Sequence, residues 1–275
     1  MKLFFILFLV SFHVFGQNMK PQEMIKTFDV TSYRPQDKGL KEFVVKVEIS
    51  NLTKQLNDQL IFGKLKNVYF KLFWAYPSEV DVEVIGLPAG FAEIKNELKS
   101  LVASRLDVIV PATLEKRLEG YSFKQVSAPG KETIVASDTT QMKLISEIKA
   151  TFDKEGKLLS LINQKPLMTE ESELTLTKKA FSENKWIMDE INVKVNEESR
   201  TTLIKTQIEY NSIEGYALPV KIKSHTKQIL IQGANKKPIE REVDSSVTFT
   251  EYKINSGEAS SFFKKIKDGS VIITN

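Results

Sequence analysis

The sequence contains no cysteine, and only two histidines, His13 and His225. Without cysteine there can be no disulfide, thiolate metal site, cysteine nucleophile or lipid-modified cysteine. His13 falls in an apolar N-terminal stretch, so the remainder of the chain has one histidine and no multi-histidine metal centre or second histidine relay. Charge of one sign is also lacking. The 39 basic and 35 acidic residues nearly cancel, and a net +4 is too small to argue for nucleic acid as a partner. Glycine and proline are sparse, with 12 and 9 residues, and no fixed-period repeat, low-complexity tract or linker interrupts the chain. Phosphate-cradling glycine loops, a Gly-x-Ser-x-Gly elbow and an EF-hand spacing are all missing. Beyond residue 16 no window approaches the ~20 apolar residues a membrane-spanning helix requires.

What is present begins with a leader. Lys2 is followed by an apolar stretch from Leu3 to Phe15 broken only by Ser11 and His13, and 12 of the first 16 residues are apolar. Val14 and Gly16 sit at the −3 and −1 positions of a cleavage site before Gln17, which predicts a secretory signal at residues 1–16. The mature chain, residues 17–275, is then a single domain in the periplasm or outside the cell, with no transmembrane anchor and a net charge of +3.

Residues 17–41 read as a lead-in holding at most one short helix. Phe43, Val45, Val47 and Ile49 alternate with their neighbours, which predicts a strand. A second strand is expected over residues 59–66. The run from Val68 to Tyr76 is apolar at both parities and reads as a central strand, followed by a half-buried strand over Val80–Val84. The period then changes. Phe91, Ile94, Leu98, Leu101, Val102 and Leu106 recur at spacings of three and four, an amphipathic helix that Pro111 stops or kinks. Leu114 and Leu118 suggest a second, shorter helix. From Tyr121 the chain returns to strands. Met142, Leu144, Ile148, Ala150 and Phe152 share one parity, and Asp153–Lys157 is a turn. Further strands follow through Leu174 and Leu176, Trp186 to Val195, Thr202 to Tyr210, Pro219 to Ser224, and 243–254, before a terminal helix capped by Ser256. About ten strands joined by short connections predict an α+β fold with a large antiparallel sheet.

The individual chemical signals are weak. His225, flanked by Lys223 and Lys227, reads as a solvated strand histidine, and scattered carboxylates give no glycosidase-type pair by spacing. Lys221, Lys223, Lys227, Lys236, Lys237 and Arg241 concentrate basic charge late in the chain. They read as a solubilising edge before an anionic binding surface. Asn51-Leu52-Thr53 matches a glycosylation sequon. In the helical segment 91–119 five basic and five acidic residues balance, which argues against a membrane-surface helix. Its apolar stripe should therefore cover apolar surface on the sheet.

Three stretches resemble a known superfamily. They are Val68-Tyr69-Phe70-Lys71-Leu72-Phe73-Trp74-Ala75-Tyr76-Pro77 with Val80–Val84 after it, Ile148–Leu159 with Phe152-Asp153 and Gly156 at its turn, and Gly215-Tyr216-Ala217-Leu218-Pro219 with the later Phe249–Asn255. In this order they resemble the periplasmic lipoprotein carriers and outer-membrane lipoprotein-sorting proteins. The resemblance implies that the sheet curves into an incomplete barrel, with the helices of residues 91–119 covering its concave face. It also implies a non-enzymatic binding protein for a lipid or an acylated lipoprotein, without cofactor or metal. Face parity and the helix stripe nominate Phe70, Leu72, Trp74, Leu98, Leu101 and Val102 as ligand-lining residues. Two other classes stay open: a structural or protein-interaction module whose sheet and helices enclose only a dry core, and a hydrolase built on scattered carboxylates.

Overall fold

The structure is a computed structural model, and it describes residues 19–59, 64–88, 90–231 and 237–269. The expected signal segment, and residues 60–63 of the strand expected over 59–66, lie outside the described residues. The chain opens with α1 (Pro21–Thr31), with proline in its first turn and the Glu23 carboxylate accepting the Lys20 N–H at 3.2 Å. It continues through β1 (Glu42–Ile49), α2 (Leu52–Gln59), β2 (Tyr69–Ala75) and β3 (Glu79–Ile85). Three helices follow: α3 (Ala92–Ala103), α4 (Leu106–Ile109) and α5 (Leu114–Arg117). Then come nine strands in succession: β4 (Ser122–Ala128), β5 (Lys131–Ser137), β6 (Glu147–Asp153), β7 (Leu158–Lys165), β8 (Met168–Lys178), β9 (Trp186–Glu197), β10 (Arg200–Ile213), β11 (Tyr216–Leu230) and β12 (Ile239–Ile254). The last described helix is α6 (Glu258–Lys267).

All twelve strands join one antiparallel sheet that is not closed into a barrel, in the order β3-β2-β1-β12-β11-β10-β9-β8-β7-β6-β5-β4. The expected count of about ten is corrected to twelve. The hairpin β4–β5 accounts for part of the difference, because β4 is largely exposed and carries little apolar signal. The topology also dictates where the helices lie. β3 and β4 are the two edges, so the segment joining them must cross the whole sheet, and that segment is α3–α5.

On this front face, alternate residues of neighbouring strands form two cores. In the first, Phe43, Val45 and Val47 of β1 and Phe70, Leu72 and Trp74 of β2 meet Ile208, Leu218, Ile222 and Phe249. Leu52 and Leu56 of α2, Leu98 and Val102 of α3, and Ile109 of α4 cover them. In the second, Ile134 faces Ala150 and Ala136 faces Ile148 across β5 and β6. Met24 and Ile25 of α1, with Leu114 and Leu118, pack on that patch. The small alanines leave room for the helix side chains to settle between the larger residues.

The back face bears only α6 among the described helices. Its Ala259 and Phe263 bury Val44, Phe73 and Ala75, and Phe262 stacks on Phe73 with ring centroids 4.1 Å apart. β2 is thus apolar on both sides because helices cover both, and it sits one strand from the edge instead of centrally. Two other expectations are corrected. Gln59 belongs to α2, and residues 64–66 form no strand; Asn57 clips the loop by exchanging two hydrogen bonds with the Leu65 backbone, at 2.7 and 3.0 Å. Met142 and Leu144 lie in the β5–β6 loop with 88% and 75% of their surface exposed.

Candidate functional site

Between the two front-face cores lies a cavity of about 320 Å³. Met188 of β9 touches both cores and sits in its wall. The sheet supplies the floor in rows set by register. Asn163 pairs with Glu170, Leu161 with Ser172 and Ser172 with Val193. Leu174 pairs with Ile191, and a β-bulge after Thr175 brings Leu176 opposite Met188. Leu158 and Trp186 continue the floor, so one end is apolar while Asn163, Glu170 and Ser172 make the other polar. The roof comes from Phe28 and Asp29 of α1, Tyr33 and Arg34 after it, and Val108 to Arg117 of the α4–α5 segment.

Polar contacts hold this roof in place. The buried Asp29 carboxylate accepts the N–H groups of Leu114 at 2.7 Å and Glu115 at 2.9 Å, tying α1 to the start of α5. Burial pushes the Asp29 carboxyl up from its ordinary value, while the two N–H bonds and the Arg34 charge pull it back. The Tyr33 hydroxyl accepts the Ala217 N–H at 2.8 Å, pinning the segment after α1 to β11, and burial raises its phenol. A single parallel bridge from Ser32 to Trp186 completes the attachment.

The charged side chains around the cavity are already engaged. Arg34 donates twice to Asp37, at 2.9 and 2.7 Å. Arg117 pairs with Asp107 at 2.9 Å. Glu170 accepts from Asn163 at 3.2 Å and from Lys165 at 3.4 Å. Tyr210, partly buried in the wall, has its phenol pushed up by burial and by the Asp189 charge.

The six residues nominated from sequence fall elsewhere. Phe70, Leu72, Trp74, Leu98 and Val102 meet in the first core, facing the α3 stripe as parity requires, but they are packed side chain to side chain. Leu101 stands apart, 42% exposed on the outer side of α3. None of the six lines the cavity. The lining instead comes from α1 and from β7–β11, with the α4–α5 segment. Met24, Ile25 and Phe28, spaced along a helix opened by Pro21, carried the signal for the α1 contribution.

No protein-family model, curated protein or solved structure matches this chain. Among the described residues no group of three or more histidine or acidic side chains could hold a metal ion, and no helix is long and apolar enough to cross a membrane. His225 does pair with a carboxylate, Asp244, at 2.8 Å. That pair lies on the back face, in a shallow polar depression shared with Lys205, Gln207, Lys221 and Lys223. The expected basic edge is corrected: β11 and β12 lie inside the sheet, and of its residues Lys223 is bound to Glu209 and Lys227 to Glu240 and Glu242.

Proposed function

We propose that this chain is an exported, non-enzymatic binding protein that carries a lipid, or the acyl chain of an acylated protein, in the front-face cavity. In this reading the sheet curls into an incomplete barrel around that cavity, and the helices of residues 91–119 close its concave side. Sorting of lipoproteins to an outer membrane is one task such a carrier serves. The observation that supports the reading is the cavity itself: a void of about 320 Å³ with a mostly apolar lining and few polar groups, at the lower end of the ~300–1,000 Å³ of ligand pockets.

A neutral naphthylamine fluorophore added to the folded protein tests this. It should bind saturably and be displaced by acyl ligands. Ile191 is only half-buried because it faces the void, so Ile191→Asp should leave the fold intact yet weaken probe binding at least about tenfold, the equivalent of ~1.4 kcal/mol. A wild-type protein that binds no probe would leave an interaction module with a dry core as the better reading.

A further inference from the structure

We propose that the edge strand β4 is a self-association surface, pairing antiparallel with β4 of a second copy of this chain about a two-fold axis at Val126. The two edges of the sheet are not alike. β3 is guarded: it carries Glu79, Asp81 and Glu83, α3 lies against it through the first core, and Lys99 and Lys267 bridge to Asp81 and Glu79. β4 has none of these devices. It holds no proline and one charged residue, Lys124, and its register with β5 runs unbroken from Ser122–Ser137 to Ala128–Lys131. Pro129 and Gly130 form a two-residue turn, so Ala128 and Lys131 are a hydrogen-bonded pair. Alternation then turns the N–H and C=O groups of Phe123, Gln125 and Ser127 outward, and no described group bonds to them.

Charge and burial choose the second copy's register. Centred on Lys124, the pairing would set two cations face to face; centred on Gln125, it would leave them diagonal neighbours across the axis. Centred on Val126, it puts Lys124 opposite Ala128 of the second copy and closes Val126 on its own equivalent. Val126 is 48% exposed. It lies on the back face, opposite to Phe123 and Gln125, whose β5 partners Ala136 and Ile134 belong to the second core. The one described helix on that face, α6, packs at the other end of the sheet. At the axis the two Val126 residues form a non-hydrogen-bonded pair, in which facing Cα atoms are ~4.5 Å apart and side chains come closest. On either side, Gln125 and Ser127 exchange backbone bonds through their outward groups. On the front face, α1 and α5 stand over the Tyr121–Phe123 end of the strand. Antiparallel pairing sends the two sets of helices to opposite ends, clear of each other.

A contact confined to one strand edge falls below the ~1,000 Å² of a stable interface, so the dimer is weak and concentration-dependent. Sedimentation equilibrium from ~10 to ~500 µM should show the average mass rising from one chain toward two. Val126→Asp sets two carboxylates face to face at a half-exposed position, and it should weaken the association at least about tenfold. Gln125→Pro removes an outward N–H, keeps the bonds to β5 and should weaken it too. The chain contains no cysteine, so single cysteines read the register directly. Under mild oxidation Val126→Cys should form a disulfide-linked dimer, because its Cα atoms meet within the ~4.4–6.8 Å that the bond spans. Lys124→Cys lies four residues from its equivalent along the strand, ~14 Å away, and should stay uncrosslinked. A wild type that remains monomeric at the highest concentration, or a mass rise that Val126→Asp leaves unchanged, overturns the proposal. Equal crosslinking at positions 124 and 126 overturns the register.

Discussion

Neighbouring residues on one helix show how finely the sequence has to be read. Leu101 and Val102 are both apolar and both fit the spacing of three and four, yet Val102 is 1% exposed and Leu101 42%. The buried stripe of α3 runs Ile94, Leu98, Val102 at intervals of four, and Leu101 falls off its flank. A charge at the two positions should therefore have unequal effects. Val102→Asp should cost more than ~3 kcal/mol, the range reserved for an unpaired buried charge, and Leu101→Asp should stay within ~0.5 kcal/mol, both read from urea denaturation. Asp138 illustrates a residue whose importance no spacing announces. Its carboxylate accepts the N–H groups of Thr140 at 2.9 Å and Lys143 at 2.7 Å and the Thr140 hydroxyl at 2.6 Å. Those bonds lower its pKa from 3.8 to about 2. Because the folded state holds the proton more weakly than the unfolded chain, the stability it contributes is present above pH 3.8 and lost as the pH falls toward 2. Asp138→Asn should thus be less stable than wild type at pH 5, with the difference shrinking at pH 2, and amide exchange at Lys143 should report the same loss locally.

At the scale of elements, most strands were legible because burial on one face imposes a period of two, as in Phe43, Val45 and Val47. The failures have physical causes. Met142 and Leu144 keep the parity of β6, but Asp138 gathers the backbone into a loop and Gln141 adopts φ 57°, so the parity never becomes a strand. Apolarity at both parities of β2 suggested a central position. The actual reason is α6, whose Phe262 and Phe263 cover the back face that a lone sheet would leave to solvent. Phe73 is 4% exposed in that contact, and Phe73→Ala should destabilise the protein by ~3–5 kcal/mol in equilibrium unfolding. A loss below ~1 kcal/mol would mean that α6 does not dock there.

At the scale of the whole molecule, short connections between strands made the nine-strand antiparallel run readable. The strand order was not, because nothing local states that β1 pairs with β12, or that α3–α5 must travel from one edge to the other. The cavity was hidden for the same reason. It lies at the seam between two cores and draws its lining from three stretches far apart in sequence, α1, the α4–α5 segment and strands β7–β11, whereas the nominated residues were chosen from one strand and one helix close together in the chain. Five of the six fill the space between themselves in the first core, while Leu101 lies outside it.

The two tryptophans separate these regions and supply the most direct test of the central claim. Trp186 lines the cavity, and Trp74 is packed in the first core five strands away in the sheet. Bromine on a hydrocarbon chain quenches tryptophan only near contact. A monoacylglycerol brominated along its chain should therefore quench wild-type fluorescence saturably at one ligand per protein and leave a Trp186→Phe variant, in which only Trp74 emits, unchanged. Quenching that persists in the variant, or none in the wild type, would contradict the account.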